Sequence, residues 1–317
     1  MSDDDRGIVF KAIDRLIISA VPERRADLDA LWQRYAPQFR LSPDRVGFEM
    51  GSVYGEAVLF THRTLLQIWL LGFAAWRAVE AYADIIRYCA ATGFMFDPPS
   101  VAALPGQSSI ELAFDRMIAA ARELKQTESL TSFPWPSDVP RPGTEHLSVP
   151  DKAVHDLVCI ATAYFFLHEV QHVVFYHAED RPTDWAEEIA CDRFAREFVL
   201  SGVPAFAAEI VKPADEVLAK RVAAIALAAF VMFEVTPPEF WGGTRSHPPI
   251  ADRLEAIFTT AALPRTAYPW NVGSALLLAK LRASGRPIPQ FTFADEQSLF
   301  DQLISLLSND RDGRARG

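Results

Sequence analysis

A chain of 317 residues, 50% hydrophobic and 23% charged, can bury a sizeable core as one large domain or two modest ones, which excludes a disordered chain. Its formal net charge of −10 argues against general nucleic-acid binding, which depends on clustered Lys and Arg to release counterions, so no nucleic acid is expected among the partners. Cys89, Cys159 and Cys191 are odd in number and lack CxxC spacing. They predict buried free thiols in a reducing compartment, not a disulfide framework or a four-cysteine zinc site.

The chain starts MSDDDRGIVF, acidic where a secretory signal is basic, and a cytoplasmic location is expected. Apolar residues recurring at three- and four-residue spacing predict helices over 26–35, 64–91, 109–127, 151–178, 184–200, 214–233, 250–260 and 272–283. Residues 46–60 differ. Val46, Phe48 and Met50 alternate with Gly47 and Glu49, and Gly51 and Gly55 interrupt, which predicts a short strand or hairpin. The apolar runs 65–76 and 222–233 are each about a dozen residues, short of the roughly 18 that a spanning helix requires. They predict core helices and no transmembrane segment, with a peripheral membrane contact left open. Five prolines and Gly143 in 132–150 cannot sit inside a helix. They divide a mostly helical region, 1–145, from a region, 146–317, that holds the chemistry. The polar, Arg-rich tail 309–317 is expected to be disordered. The fold class expected is mainly α, an α+β chain with a small sheet or hairpin.

Ser148, Pro150 and Asp151 form a helix start, with Ser148 capping and Asp151 in the capping-box position. Within that helix lies His168-Glu169-Val170-Gln171-His172, the HExxH pattern. Residues four apart share a helix face, so both imidazoles can reach one metal ion. Glu169, about 100° around the helix, can reach a water on that ion without being a ligand. The flanking positions 161–167 and 173–176 are almost wholly apolar, where unpaired polar groups are costly.

A third ligand is expected from the next helix. His177 lies five residues after His172, and no Gly stands three residues after His172, so the metzincin spacing is absent. Asp184 and Glu187 have capping-box spacing, which gives Glu187 a task at the helix start. Trp185, Cys191, Phe194, Ala195, Phe198 and Val199 share a broad apolar face, and Glu188 falls inside it with Asp192 nearer one edge. Two carboxylates there require strong partners. Either Glu188 binds the metal and Asp192 accepts the second N–H of a ligating histidine, or both acids pair with arginines.

HExxH followed by ExxxD resembles the gluzincin zinc metallopeptidases. The stretch Glu188-Ile189-Ala190-Cys191-Asp192-Arg193-Phe194-Ala195 is similar to the glutamate helix of HtpX-type and CAAX-prenyl-protease-type enzymes, which usually carry Ala where this chain has Cys191. Ser246-His247-Pro248-Pro249 with Arg253 resembles a C-terminal element of the same group. The resemblance implies His247 or Arg253 near the scissile carbonyl; a plain helix start capped by Ser246 is the other reading. Lacking the spanning helices of the membrane-bound members, the chain is more similar to the phage-exclusion peptidases of the Lit type.

The resemblance thus implies a zincin-like active-site helix plus a glutamate helix, with zinc (Zn2+) on His168, His172 and Glu188. Asp192 would orient a ligand and Glu169 would be the general base. His247, Arg253 or Tyr176 would steady the oxyanion, and the expected substrate is a protein or peptide. Gluzincins usually align substrate on an edge strand, which 46–60 could supply. A non-catalytic zinc-binding regulatory protein on the same scaffold is the alternative.

Overall fold

The N-terminus forms a helix that periodicity did not single out. The protein is seen in a computed structural model that describes residues 3–53 and 55–314. Its first element, α1 (Asp3–Ala20), buries Ile13, Ile17 and Ala20 on one stripe that packs on the helix carrying His168 and His172. The acidic first turn dilutes that stripe in the sequence. α2 (Arg25–Tyr35) follows and ends at Ala36, which takes the left-handed conformation (φ 42°).

Three short strands come next: β1 (Gln38–Leu41), β2 (Met50–Val53) and β3 (Ala57–Phe60). Their order in the sheet is β1-β3-β2. β1 is parallel to β3, from Gln38↔Ala57 to Leu41↔Phe60. β2 is antiparallel to β3, from Met50↔Phe60 to Val53↔Ala57, and stands at the edge. The hairpin expected within 46–60 is therefore present, but the alternating residues 46–49 lie before it, not in it. Their backbone groups are taken elsewhere. The Gly47 N–H donates to the Lys125 carbonyl, the Gly47 carbonyl accepts from Gln67, and both backbone groups of Glu49 bond the Thr64 hydroxyl. Gly47 has φ 119°, which only glycine adopts easily.

The long helix α3 (His62–Thr92) starts on a Thr61 cap, whose hydroxyl accepts from the Thr64 N–H at 3.1 Å, and stops at left-handed Gly93. α4 (Pro98–Ala102) and α5 (Gln107–Gln126) precede the proline-rich connection. That connection is pinned, since Trp69 donates to the Pro140 carbonyl at 2.8 Å and Trp135 to the Val139 carbonyl at 2.8 Å. α6 (Val149–Tyr176) then begins on Ser148, whose hydroxyl accepts from the Asp151 N–H at 3.3 Å and donates to the Asp151 carboxylate at 2.6 Å. The remaining helices are α7 (Trp185–Leu200), α8 (Val203–Glu209), α9 (Ala214–Val235), α10 (Ile250–Thr260), α11 (Tyr268–Ala283) and α12 (Glu296–Arg314). α12 is helical where a disordered tail was expected from 309; residues 315–317 lie outside the described residues.

α6 sits at the centre, against α1, α3, α7, α9 and the sheet. It is long and apolar enough to cross a membrane by length and composition, yet 72% of its apolar window is buried among the other elements. The shorter apolar runs lie inside α3 and α9 as buried core. One hydrophobic cluster, from Ile13 to Ile304, draws on both sides of the proline-rich connection. Phe166 is fully buried and meets Phe39 and Phe60 edge-on at 5.8 and 5.0 Å. It fixes the sheet against α6, and truncation to Ala would cost about 3–5 kcal/mol.

Candidate active site

Helix geometry stacks His168 and His172 one turn apart, with their Nε2 atoms 3.2 Å from each other. The first turn of α7 brings in Glu188, one oxygen 3.5 Å from His168 Nε2 and the other 3.4 Å from His172 Nε2. Behind each ring stands a carboxylate: His168 Nδ1 is 2.9 Å from Asp192, and His172 Nδ1 is 2.8 Å from Glu187. A neutral imidazole that donates from Nδ1 presents a lone pair at Nε2. With both rings neutral, two lone pairs and a carboxylate face one another across 3.2–3.5 Å, an arrangement that repels itself unless a proton or a metal cation sits among them. Tetrahedral zinc with arms of about 2.0–2.1 Å has ligand–ligand edges of about 3.3–3.4 Å. The donor set thus fits such an ion.

The carboxylates make this a site that draws positive charge. Burial disfavours charge on His168, but hydrogen bonds to Asp192 and Glu188 outweigh it and raise its pKa to about 10. His172 is also raised, against its burial, chiefly by Glu188. Burial works against ionised Glu188, yet the two histidines hold its carboxyl well below the usual range. Asp192 is held down likewise, by Arg253 and then His168.

Cys191 is a second candidate for the third donor. It is buried, and a ligand atom of each histidine lies within 4.8 Å of its sulfur and of the other. Glu188 places its two oxygens 3.5 and 3.4 Å from the two Nε2 atoms. Burial, and then the surrounding carboxylates, push the Cys191 thiol well above its usual range.

The cleft in front of these residues holds about 320 Å3. His168, Glu169, His172, Glu188, His247 and Arg253 all line it, with Tyr164, Phe165 and Met232. Phe48, Met50, Gly51 and Ser52, from β2 and the segment before it, form the opposite wall. Glu169 is half-buried and has no hydrogen bond or ion pair among the described residues. His247 is exposed, with Nε2 3.7 Å from a Glu188 oxygen and Nδ1 2.8 Å from the Ser246 hydroxyl. Ser246 does not cap α10, which begins at Ile250 after Pro249 without a side-chain cap. Arg253 is half-buried and directs Nε and Nη2 at Asp192, 2.6 and 2.7 Å away. Tyr176 stands apart from the cleft lining. Its ring packs on Gly55 (φ 65°), where an added Cβ would come within 1.8 Å of it.

Some contributors were not evident from the sequence. Asp184 has φ 50° and makes no side-chain cap, and Glu187 turns inward to His172, gripped by Arg181 through two bonds of 3.0 Å. The missed signal was that two histidines on one apolar face require two Nδ1 acceptors, and only Asp192 had been given that role. Tyr164, from within α6, donates its hydroxyl to Asp192 at 3.0 Å. Trp185, expected on the buried face, is 41% exposed and donates to the Thr244 carbonyl at 2.5 Å, tying α7 to the loop that carries His247.

The family model of Peptidase U49 matches residues 58–273, about two-thirds of the chain, which takes in His168, Glu169, His172, Glu187, Glu188, Asp192, His247 and Arg253. The chain belongs to the Peptidase U49 family. Membership of Peptidase U49 makes it a member of a peptidase family, with hydrolysis as the associated chemistry. No curated protein and no solved structure matches it. The Peptidase U49 match begins at Val58, inside β3, so the edge strand β2 lies just before it.

Proposed function

We propose that the chain is a zinc-dependent endopeptidase that hydrolyses a peptide bond in a specific protein substrate, with His168, His172 and Glu188 as the metal ligands. The observation that carries this reading is the meeting of two imidazole Nε2 atoms and the Glu188 carboxylate at 3.2–3.5 Å, each ring oriented from behind by its own carboxylate. When bound there, zinc would polarise the substrate carbonyl and lower the pKa of a coordinated water towards about 7.

The chain's own groups would do the rest. Glu169, lining the cleft without a hydrogen-bond partner of its own, takes a proton from the attacking water and passes it to the leaving amine. Asp192 and Glu187 keep both imidazoles in the tautomer that presents Nε2. His247 faces the cleft and is the better placed donor to the developing oxyanion, since Arg253 is committed to Asp192. β2 has an unpaired edge among the described strands and lines the cleft, so an extended peptide can add to it through backbone hydrogen bonds. Phe48, Met50, Phe165 and Met232 offer an apolar surface for a side chain beside the scissile bond. The Peptidase U49 membership and the resemblance to Lit-type enzymes together support a phage-exclusion peptidase acting in the cytoplasm.

Two substitutions test this. Elemental analysis should find about one zinc per wild-type chain and a clear loss in Glu188→Gln. Glu169→Gln should keep its zinc and lose about 10²–10⁴-fold in turnover, read by profiling new N-termini in a proteome-derived peptide library. A wild-type chain that takes up no zinc on reconstitution would refute the metal reading.

A further inference from the structure

In a chain of net charge −10, one cavity away from the catalytic cleft is lined by four cationic side chains and a single carboxylate. It holds about 470 Å3 and lies where the C-terminal ends of α5, α9 and α11 meet. Arg122 and Lys125 come from α5, Lys280 from α11, Arg286 from the turn beyond it and Glu234 from α9.

Glu234 is already engaged, accepting from Arg122 Nε at 2.6 Å and from Lys280 Nζ. Lys125 donates to a neutral partner, the Val235 carbonyl, at 3.1 Å, and forms no ion pair among the described residues. Even with Arg286 left aside, Arg122, Lys125 and Lys280 outnumber Glu234 three to one. Lys280 is at the back, its side chain only 4% exposed. Burial presses its ammonium below the usual range, Arg122 and Arg286 add to that, and Glu234 opposes it. Crowded cations of this kind are costly unless an anion joins them. Gln126, Thr236 and Ser284 add neutral polar groups to the lining.

We propose that this cavity is a binding site for a phosphate-bearing small molecule, with Arg122 and Lys125 at its mouth taking the phosphate oxygens and Lys280 supplying charge from behind. Guanidinium and ammonium groups together suit a phosphate dianion, and the volume lies in the range of small-ligand pockets, larger than one phosphate alone requires. α9 serves both places: Met232 lines the cleft, and Glu234, two residues further along, lines the cavity. It does not depend on the metal reading.

The test is calorimetric titration of the full chain with pyrophosphate at fixed ionic strength. Saturable one-site binding is expected in the wild type. Arg122→Gln/Lys125→Gln should weaken it at least tenfold with the far-ultraviolet circular dichroism unchanged, since Glu234 keeps Lys280 as its partner. A charge-matched control on α1 and α2, Lys11→Gln/Arg34→Gln, should bind like wild type. No saturable heat in the wild type overturns the proposal, as does an equal loss in the control pair, which would mean bulk charge alone. Sedimentation with phosphatidic-acid vesicles in the absence of pyrophosphate binding also overturns it, by assigning the basic groups to a lipid headgroup.

Discussion

Replacing Asp192 by Asn in the metal-free protein isolates what that carboxylate does for the fold. Asp192 is 4% exposed and accepts from His168 Nδ1, the Tyr164 hydroxyl and two nitrogens of Arg253. Asn keeps the shape but strands the Arg253 guanidinium, only 10% exposed, without the carboxylate it is paired with. Removing one partner of a buried ion pair costs about 3–5 kcal/mol. With a urea slope of about 3 kcal/mol per M, suitable for a chain of this size, the unfolding midpoint should fall by about 1 M or more. Removing both charges in Asp192→Asn/Arg253→Met takes away the stranded cation, so the double variant should be more stable than Asp192→Asn by about 2 kcal/mol. Urea unfolding followed by circular dichroism, with chelator present throughout, reads all of these. A loss below about 1 kcal/mol in Asp192→Asn, or a double variant no better than the single, would refute Arg253 as the partner that holds Asp192 in place.

Glu187→Gln should weaken zinc binding about 10–100-fold in a chelator competition titration, because His172 loses its charged acceptor; unchanged affinity would return Glu187 to a helix-start role. Metal-free stability should also depend on pH through His168. Its pKa is raised from 6.5 to about 10 in the folded state, so its contribution is complete below pH 6.5 and lost as pH rises to about 10. Urea midpoints across that window should fall for the metal-free protein and not for the zinc-loaded protein, where ligating histidines carry no proton at Nε2. A flat profile without metal would contradict the carboxylate contacts to His168.

The sequence alone determined whatever depends on helical period. His168 and His172 share a face because residues four apart always do, and Glu188 and Asp192 follow the same rule on α7. The Ser148 start and the hairpin in 46–60 are equally local, built from capping and turn chemistry within a few residues. The tertiary structure decided the rest, because those choices depend on partners distant in sequence. Glu187 reads as a helix-start residue until α6 brings His172 to 2.8 Å. Residues 46–49 alternate like a strand, but α3 and α5 capture their backbone groups first. β1 gains its place only by pairing with β3, and Arg253 is committed to Asp192, 61 residues away. The cationic cavity is the extreme case. Arg122, Glu234 and Lys280 come from three helices, and no periodicity relates them, since charge acts through space and the sequence records only distance along the chain.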